Sequence, residues 1–227
     1  MVRDGLPPQA LVISEPADLA ATKPDVVAEA ASRESVGTWG RAALSAGADF
    51  IVSSVSAFAD AELLSELEAL GANNGAQLHI QPGALAGVDA LAAARSMGIE
   101  SVEHKIVKPP LAWRGTPAED HCDLDELTEA VAFFSGTAAE AASSYPKNAN
   151  VAMTTALAGI GPHDTKITLI ADPEATMNRH EISAGGPFGQ LDVTVQSNAL
   201  PANPKTSAMA ALNLVRAIQN RVSPIVI

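Results

Sequence analysis

Positive charge, cysteine, aromatic side chains and long apolar runs are all scarce in this sequence, and each scarcity removes a class of function. The 14 Lys and Arg residues stand against 26 Asp and Glu, a formal net charge of −12. A polyanion such as nucleic acid is repelled by that field at long range, and so is an anionic membrane surface. An anionic metabolite stays possible only if its pocket supplies local positive charge or amide donors. Cys122 is the single cysteine, so no intrachain disulfide forms, which fits a reducing cytoplasm. Aromatics make up only 4% of the chain, leaving the core to Ala, Val, Leu and Ile. No uncharged apolar run reaches about 18 residues, and the longest candidate, 148–163, is broken by Gly159, Gly161 and Pro162. The start of the chain lacks the basic-then-apolar layout of a signal peptide, so the sequence reads as that of a soluble protein.

What is present alternates. Leu11–Ser14 and Asp25–Ala28 read as short strands, and Asp49–Val55 as a better one after the turn signal at Gly47. Glu34–Ala46 reads as a helix. Asp60–Leu70 is amphipathic, with Leu63, Leu67 and Leu70 on one face and Gly71 as its stop. Ala76–Ile80 is a further strand ended by Pro82-Gly83. Such alternation implies parallel strands with crossover helices. Beyond Gly83 the pattern predicts helices over 88–97, 124–134, 137–144 and 151–157 and strands over 101–107, 166–170, 180–183 and 190–195. Gly185–Gly189 joins the last two strands as a hairpin. A last helix is expected from about Thr206 to Asn220, started by Asn203-Pro204. The fold class is therefore α/β: a partial Rossmann-like parallel sheet, truncated at its N-terminal side, followed by an α+β unit with a mixed or antiparallel sheet. The expected division is 1–83 for an incomplete dinucleotide-binding unit, 84–202 for a catalytic unit, and 203–227 for a C-terminal helix packing back on the first.

Several segments carry candidate chemistry. No G-x-G-x-x-G fingerprint occurs, although a dinucleotide site normally opens with one. Gly83-Ala-Leu-Ala-Gly87 follows a strand and is either a close backbone approach to a ligand or a turn. In Tyr145-Pro-Lys-Asn-Ala-Asn150, Asn148 or Asn150 serves either as a helix N-cap or, with Lys147, as a donor set for amides and carboxylates. His180, two residues after Asn178, opens a strand; a histidine there is a natural general acid or base, or a backbone-bonded structural group. Lys205 and Thr206 stand at the expected start of the last helix, where an anion could bind or where nothing more than a helix start is needed. Glu119–Asp125 contains every metal-ligand type but at adjacent positions, which reads as a solvated acidic turn, and no metal is expected. Neither G-x-S-x-G nor a P-loop is present.

In their order and spacing, Gln81–Leu91, Tyr145–Val151, Ile170–Pro173 with Asn178–Ile182, and Asn203–Ala208 resemble the L-aspartate dehydrogenase family from about Pro24 onward. The resemblance implies NAD- or NADP-dependent oxidation of L-aspartate to iminoaspartate, then oxaloacetate and ammonia, with a link to NAD biosynthesis. It implies that His180 is the catalytic histidine and that Ala84 and Asn150 contact the nicotinamide cofactor. It places Lys147, Asn148, Asn178, Lys205 and Thr206 along the substrate cleft, and it implies a homodimer. Relative to the family, roughly 40 residues of the opening βαβ unit are not in this sequence. One other reading is a non-catalytic metabolite- or partner-binding homologue; a second is another two-domain dehydrogenase of the dihydrodipicolinate reductase kind, against which the Asn178-Arg-His-Glu run with Asn203-Pro-Lys-Thr argues.

Overall fold

The computed structural model describes residues 5–200 and 203–226; the side chains of residue 147 and residues 203–205 lie outside the described part. A short α1 (Leu19–Thr22) leads to β1 (Val26–Glu29), α2 (Arg33–Ser45), β2 (Asp49–Val52), α3 (Ala61–Asn74) and β3 (Leu78–Ile80). The three strands pair in the order β1-β2-β3, all parallel. Every residue of β2 is buried, as a central parallel strand under crossover helices requires. At the start of α3 the Asp60 carboxylate accepts from the Glu62 and Leu63 amides, satisfying two N–H groups that the helix cannot.

Two expectations fail in this unit. Leu11–Ser14 forms no strand; Leu11 is 73% exposed, and an apolar tetrapeptide without a ladder partner has nothing to hold it extended. The helix after Asp60 does not stop at Gly71 but runs on to Asn74, with Gly75 in the left-handed region at φ 67°. Gly71 is instead a packing residue: a Cβ there would lie 2.8 Å from the Ala76 carbonyl oxygen.

The second unit begins with α4 (Val88–Ala94) and β4 (Ser101–Lys108), then β5 (Val131–Thr137), α5 (Ala138–Ser144) and α6 (Ala149–Ala158). It continues through β6 (Lys166–Ala171), β7 (Asn178–Gly186), β8 (Gly189–Ser197), β9 (Ala199–Leu200), β10 (Asn203–Ser207) and α7 (Ala208–Gln219). Its five-stranded sheet has the order β5-β6-β4-β7-β8. Only β4 and β6 are parallel neighbours, so the sheet is mixed, as expected. The 124–134 helix is overturned: Leu124, Leu127 and Val131 mimic a helical stripe, but the chain turns and enters β5, where it pairs with β6. Phe133 decides this, packing edge-on to Trp113 at 4.8 Å between ring centroids; tertiary packing overrides local periodicity. The last helix also starts later than expected. Asn203–Ser207 pairs with β9, and Ser207 is the cap, its hydroxyl accepting from the Met209 amide.

Two apolar cores meet at α6. Met153 and Ala149 pack with Leu44, Phe50 and Leu67 of the parallel unit. Ala152 and Ala156 pack with Ile106, Trp113, Ile167 and Leu169 of the mixed sheet. A helix that is apolar all round belongs inside a protein, and α6 is the wall shared by both units. The chain after β10 also returns to the first unit. Asn213 donates to the Gly83 carbonyl at 2.8 Å and to that of Leu85 at 3.3 Å, and Arg221 pairs with Asp49 of β2.

Candidate active site

Strand period brings the site together. Alternate residues of a strand share a face, so His104, Ile106 and Lys108 of β4 point the same way. The antiparallel register sets His180 opposite Ile106 and Ile182 opposite His104, which puts Asn178, His180 and Ile182 on that face as well. The two histidines sit on a diagonal of the ladder, within reach of long side chains. His104 Nε2 lies 3.2 Å from His180 Nδ1. On its other side, His104 Nδ1 is 2.9 Å from the hydroxyl of Thr155, which reaches in from α6. His104 and Thr155 are fully buried and His180 is 3% exposed. Burial holds the His104 imidazole well below its ordinary pKa, and the neighbouring His180 adds to this. Burial, and secondarily the Lys108 cation, pushes His180 down to about 3. Both rings are therefore neutral at physiological pH.

Lys108 is the cation of this face. Its ammonium donates to Asn148 Oδ1 at 2.5 Å and lies 5.1 Å from the centroid of Trp113. Burial lowers its pKa to about 8. Among the described residues no carboxylate pairs with it. The other nearby cation, Arg179, is already committed to Glu181 at 2.7 Å and Asp172 at 3.7 Å. A partly buried ammonium facing a neutral imidazole, with no acid of its own, suits a carboxylate ligand.

The N-terminal end of α6 joins this face to the carboxyl ends of the parallel strands, where open α/β sheets bind ligands. Asn150 Oδ1 accepts from the Ser56 amide at 2.9 Å, just beyond β2. The Thr154 hydroxyl lies 3.0 Å from the Asn150 carbonyl and 3.3 Å from the Gln81 carbonyl, with one proton to share between them. Gly83 turns the chain at φ 62°, Ala84 is buried, and Gln81 Oε1 is sealed from solvent without a hydrogen-bond partner among the described residues. A buried acceptor lacking a donor is costly in isolation; the carboxamide N–H of a nicotinamide is the kind of donor it calls for. At β1, Glu29 ties the same edge together, accepting from the Ser53, Ser54 and Ala31 amides.

Of the residues singled out from sequence, His180, Asn148, Asn150, Asn178 and Ala84 lie on these neighbouring surfaces. Neither Asn148 nor Asn150 caps α6 through its side chain; one holds Lys108 and the other holds the Ser56 amide. Lys147 and Lys205 have side chains outside the described residues. Thr206 is in β10 and partly buried, so the reading of Lys205 and Thr206 as a helix N-terminus is corrected: the helix begins beyond them. Sequence reasoning missed Lys108, His104 and Thr155. Lys108 precedes Pro109-Pro110, which ends β4, and the alternation His104-x-Ile106-x-Lys108 was the available signal. Among the described residues no three His, Cys, Asp or Glu side chains are placed to share a metal ion.

The family described as aspartate dehydrogenase, C-terminal, matches residues 89–221, and the NAD-binding domain of homoserine dehydrogenase matches residues 4–81. The L-aspartate dehydrogenase of Brucella anthropi is 54% identical over 225 residues, 99% of this chain and 84% of that protein. That of Acinetobacter baylyi is 44% identical over 202 residues, 89% of this chain and 77% of that protein. Among solved structures, aspartate dehydrogenase from Thermotoga maritima superposes with a TM-score of 0.72 at 25% identity, over 89% of this chain and 78% of that one. With one family matching more than half of the chain and close relatives matching nearly all of it, this chain belongs to the L-aspartate dehydrogenase family.

Proposed function

We propose that this chain oxidises L-aspartate with NAD or NADP, using His180 as the proton acceptor and Lys108 as a carboxylate anchor. The observation that carries the reading is the pairing of a neutral, buried imidazole with an uncompensated ammonium on one sheet face. When bound, the nicotinamide cofactor supplies the acceptor for the hydride leaving Cα. Ala84, Asn150 and the orphaned Gln81 Oε1 are the groups that would hold it, at the carboxyl edge of β1, β2 and β3.

The chemistry left to the protein is positioning and proton transfer. Aspartate arrives as an ammonium, and its nitrogen must give up one proton before its lone pair can assist loss of hydride. His180 takes that proton. In the free protein His180 is too weak a base for this, held at about 3 by burial and by the Lys108 charge. A substrate carboxylate on Lys108 offsets that charge, so binding itself raises the basicity of His180. Once His180 has released its proton to solvent, the resulting iminium adds water. His180 takes the proton of that water and passes it to the departing nitrogen, and ammonia leaves with oxaloacetate.

Further parts of the reading rest on the family resemblance. The division 1–83, 84–202 and 203–227 draws support from the separate parallel and mixed sheets and from the Asn213 bond to the Gly83 carbonyl. A homodimer has support in the exposed Leu212, Val215 and Ile218 of α7. A cytoplasmic setting fits the lone Cys122, and among the described residues no helix is long and apolar enough to cross a membrane. Supply of iminoaspartate to NAD biosynthesis belongs to the same reading. The deciding experiment is His180→Ala in the full chain: kcat for aspartate should fall by about 10²–10⁴, while NADH affinity by fluorescence titration stays within a few-fold. Near-normal turnover would sink the assignment.

A further inference from the structure

Behind His180 runs a hydrogen-bond chain that ends on a group able only to accept. His180 Nδ1 lies 3.2 Å from His104 Nε2, His104 Nδ1 lies 2.9 Å from Thr155 Oγ1, and Thr155 Oγ1 donates to the Val151 carbonyl at 3.1 Å. Each contact needs one proton, and a threonine hydroxyl has only one to give. Given to Val151, that proton is spent, so His104 must donate from Nδ1 to the Thr155 oxygen. A neutral His104 then has a bare Nε2, which accepts from His180 Nδ1–H. A neutral His180 is left with its lone pair on Nε2, the nitrogen outside the chain. Running the chain the other way forfeits the Val151 bond with nothing to replace it. The hydroxyl of a helical threonine readily bonds the carbonyl four residues back, so the helix itself provides the terminus.

We infer that Thr155 and His104 are positioning residues that hold His180 in its Nδ1–H tautomer, reserving Nε2 for the proton taken from the substrate nitrogen. This rests on His180 being the base. Neither residue touches substrate or cofactor; both act through His180. The three side chains come from β4, α6 and β7, and all three are buried. Water is thereby kept from competing for the ring nitrogens, so the tautomer is decided by the protein's own donors and acceptors.

The test combines a spectroscopic and a kinetic readout. In the full chain with ¹⁵N-labelled histidine, the His180 signals, assigned by their loss in His180→Gln, should show a protonated Nδ1 and a bare Nε2. In Thr155→Val the terminus is gone, and the His180 signals should shift toward the other tautomer or an average of the two. General base catalysis contributes about 10²–10⁴-fold, and losing the tautomer bias should forfeit about 10-fold in kcat, with KM for aspartate nearly unchanged. Thr155→Ser restores the hydroxyl and should restore both readouts. An Nε2–H His180 in the wild-type protein overturns the inference, as does a Thr155→Val variant with wild-type kcat. Should Thr155→Val fail to fold, the wild-type spectrum alone decides. Failure of the underlying reading looks different: His180→Ala would then turn over normally, whatever the tautomer.

Discussion

Lys108→Met separates function from stability in opposite directions. Methionine keeps an unbranched apolar stem beside Trp113 and removes the ammonium. In the folded protein burial displaces the Lys108 pKa from 10.5 to about 8, and at about 1.4 kcal/mol per unit that is a cost of ~3 kcal/mol for carrying the charge at neutral pH. Partial exposure and loss of the Asn148 bond reduce the gain from removing it to about 2 kcal/mol. For a chain of this size that is a rise in Tm of about 4–8 °C. The sign has a pH signature. Between about pH 8 and 10.5 the unfolded chain holds the lysine proton and the folded chain does not, so wild-type stability rises with pH through that window. The variant should lack this rise. Catalysis should move the other way: losing a charge-assisted hydrogen bond of ~1.5–3 kcal/mol to a substrate carboxylate raises KM for aspartate about 10–100-fold. Calorimetry at pH 7 and 9.5 with initial rates across aspartate concentration gives both numbers. A variant that is less stable than wild type and keeps its KM refutes the reasoning, because Lys108 would then be a structural lysine.

Three other outcomes follow from the same geometry. His104 and His180 stay neutral in the fold while the unfolded chain protonates both below about pH 6.5, so stability should fall on acidification by up to ~1.4 kcal/mol per pH unit for each ring; denaturant titrations at pH 7 and 5 should show a smaller fall for His104→Leu. Asn150→Ala removes the acceptor of the Ser56 amide and should weaken NADH binding about 10-fold, read by fluorescence, with a smaller effect on aspartate KM. Met153→Ala opens a cavity where α6 meets Phe50 and Leu67 and should cost about 2–5 kcal/mol in urea unfolding; a loss below ~1 kcal/mol would mean that the shared wall is not tightly packed.

The sequence made the parallel unit legible because its strands are short apolar runs between amphipathic helices, and that pattern has few solutions. Leu63, Leu67 and Leu70 marked α3 without ambiguity, whereas its end at Gly75 was hidden by Gly71, which answers to the Ala76 carbonyl and not to chain termination. The 124–134 segment failed for the opposite reason: its spacing is helical, but its fate is set by Phe133 meeting Trp113 and by pairing with β6. The site shows the same split. His180 and the asparagines were visible as dense polar runs beside regular elements. His104 and Lys108 left only the faint signal of their alternation on β4, and Thr155 left none, because nothing local distinguishes a buried threonine in an alanine-rich helix. Their meaning comes from strand register, which no single segment encodes.

Register also resolves the charge problem posed by the composition. A chain of net charge −12 repels a substrate of net charge −1 at a distance, yet affinity is decided within a few ångströms, where screening is weak and desolvation strong. Arg179 cannot supply the local charge, since Glu181 and Asp172 already neutralise it. Lys108 can, because its hydrogen-bond partner is the neutral Asn148. Had that partner been an aspartate, the lysine would be stable and useless to an incoming carboxylate, and the His180 pKa would no longer respond to substrate. A carboxamide at position 148 keeps the ammonium oriented and unneutralised, so with His180 as the proposed base, the same arrangement that costs folding energy would make that base respond to its substrate.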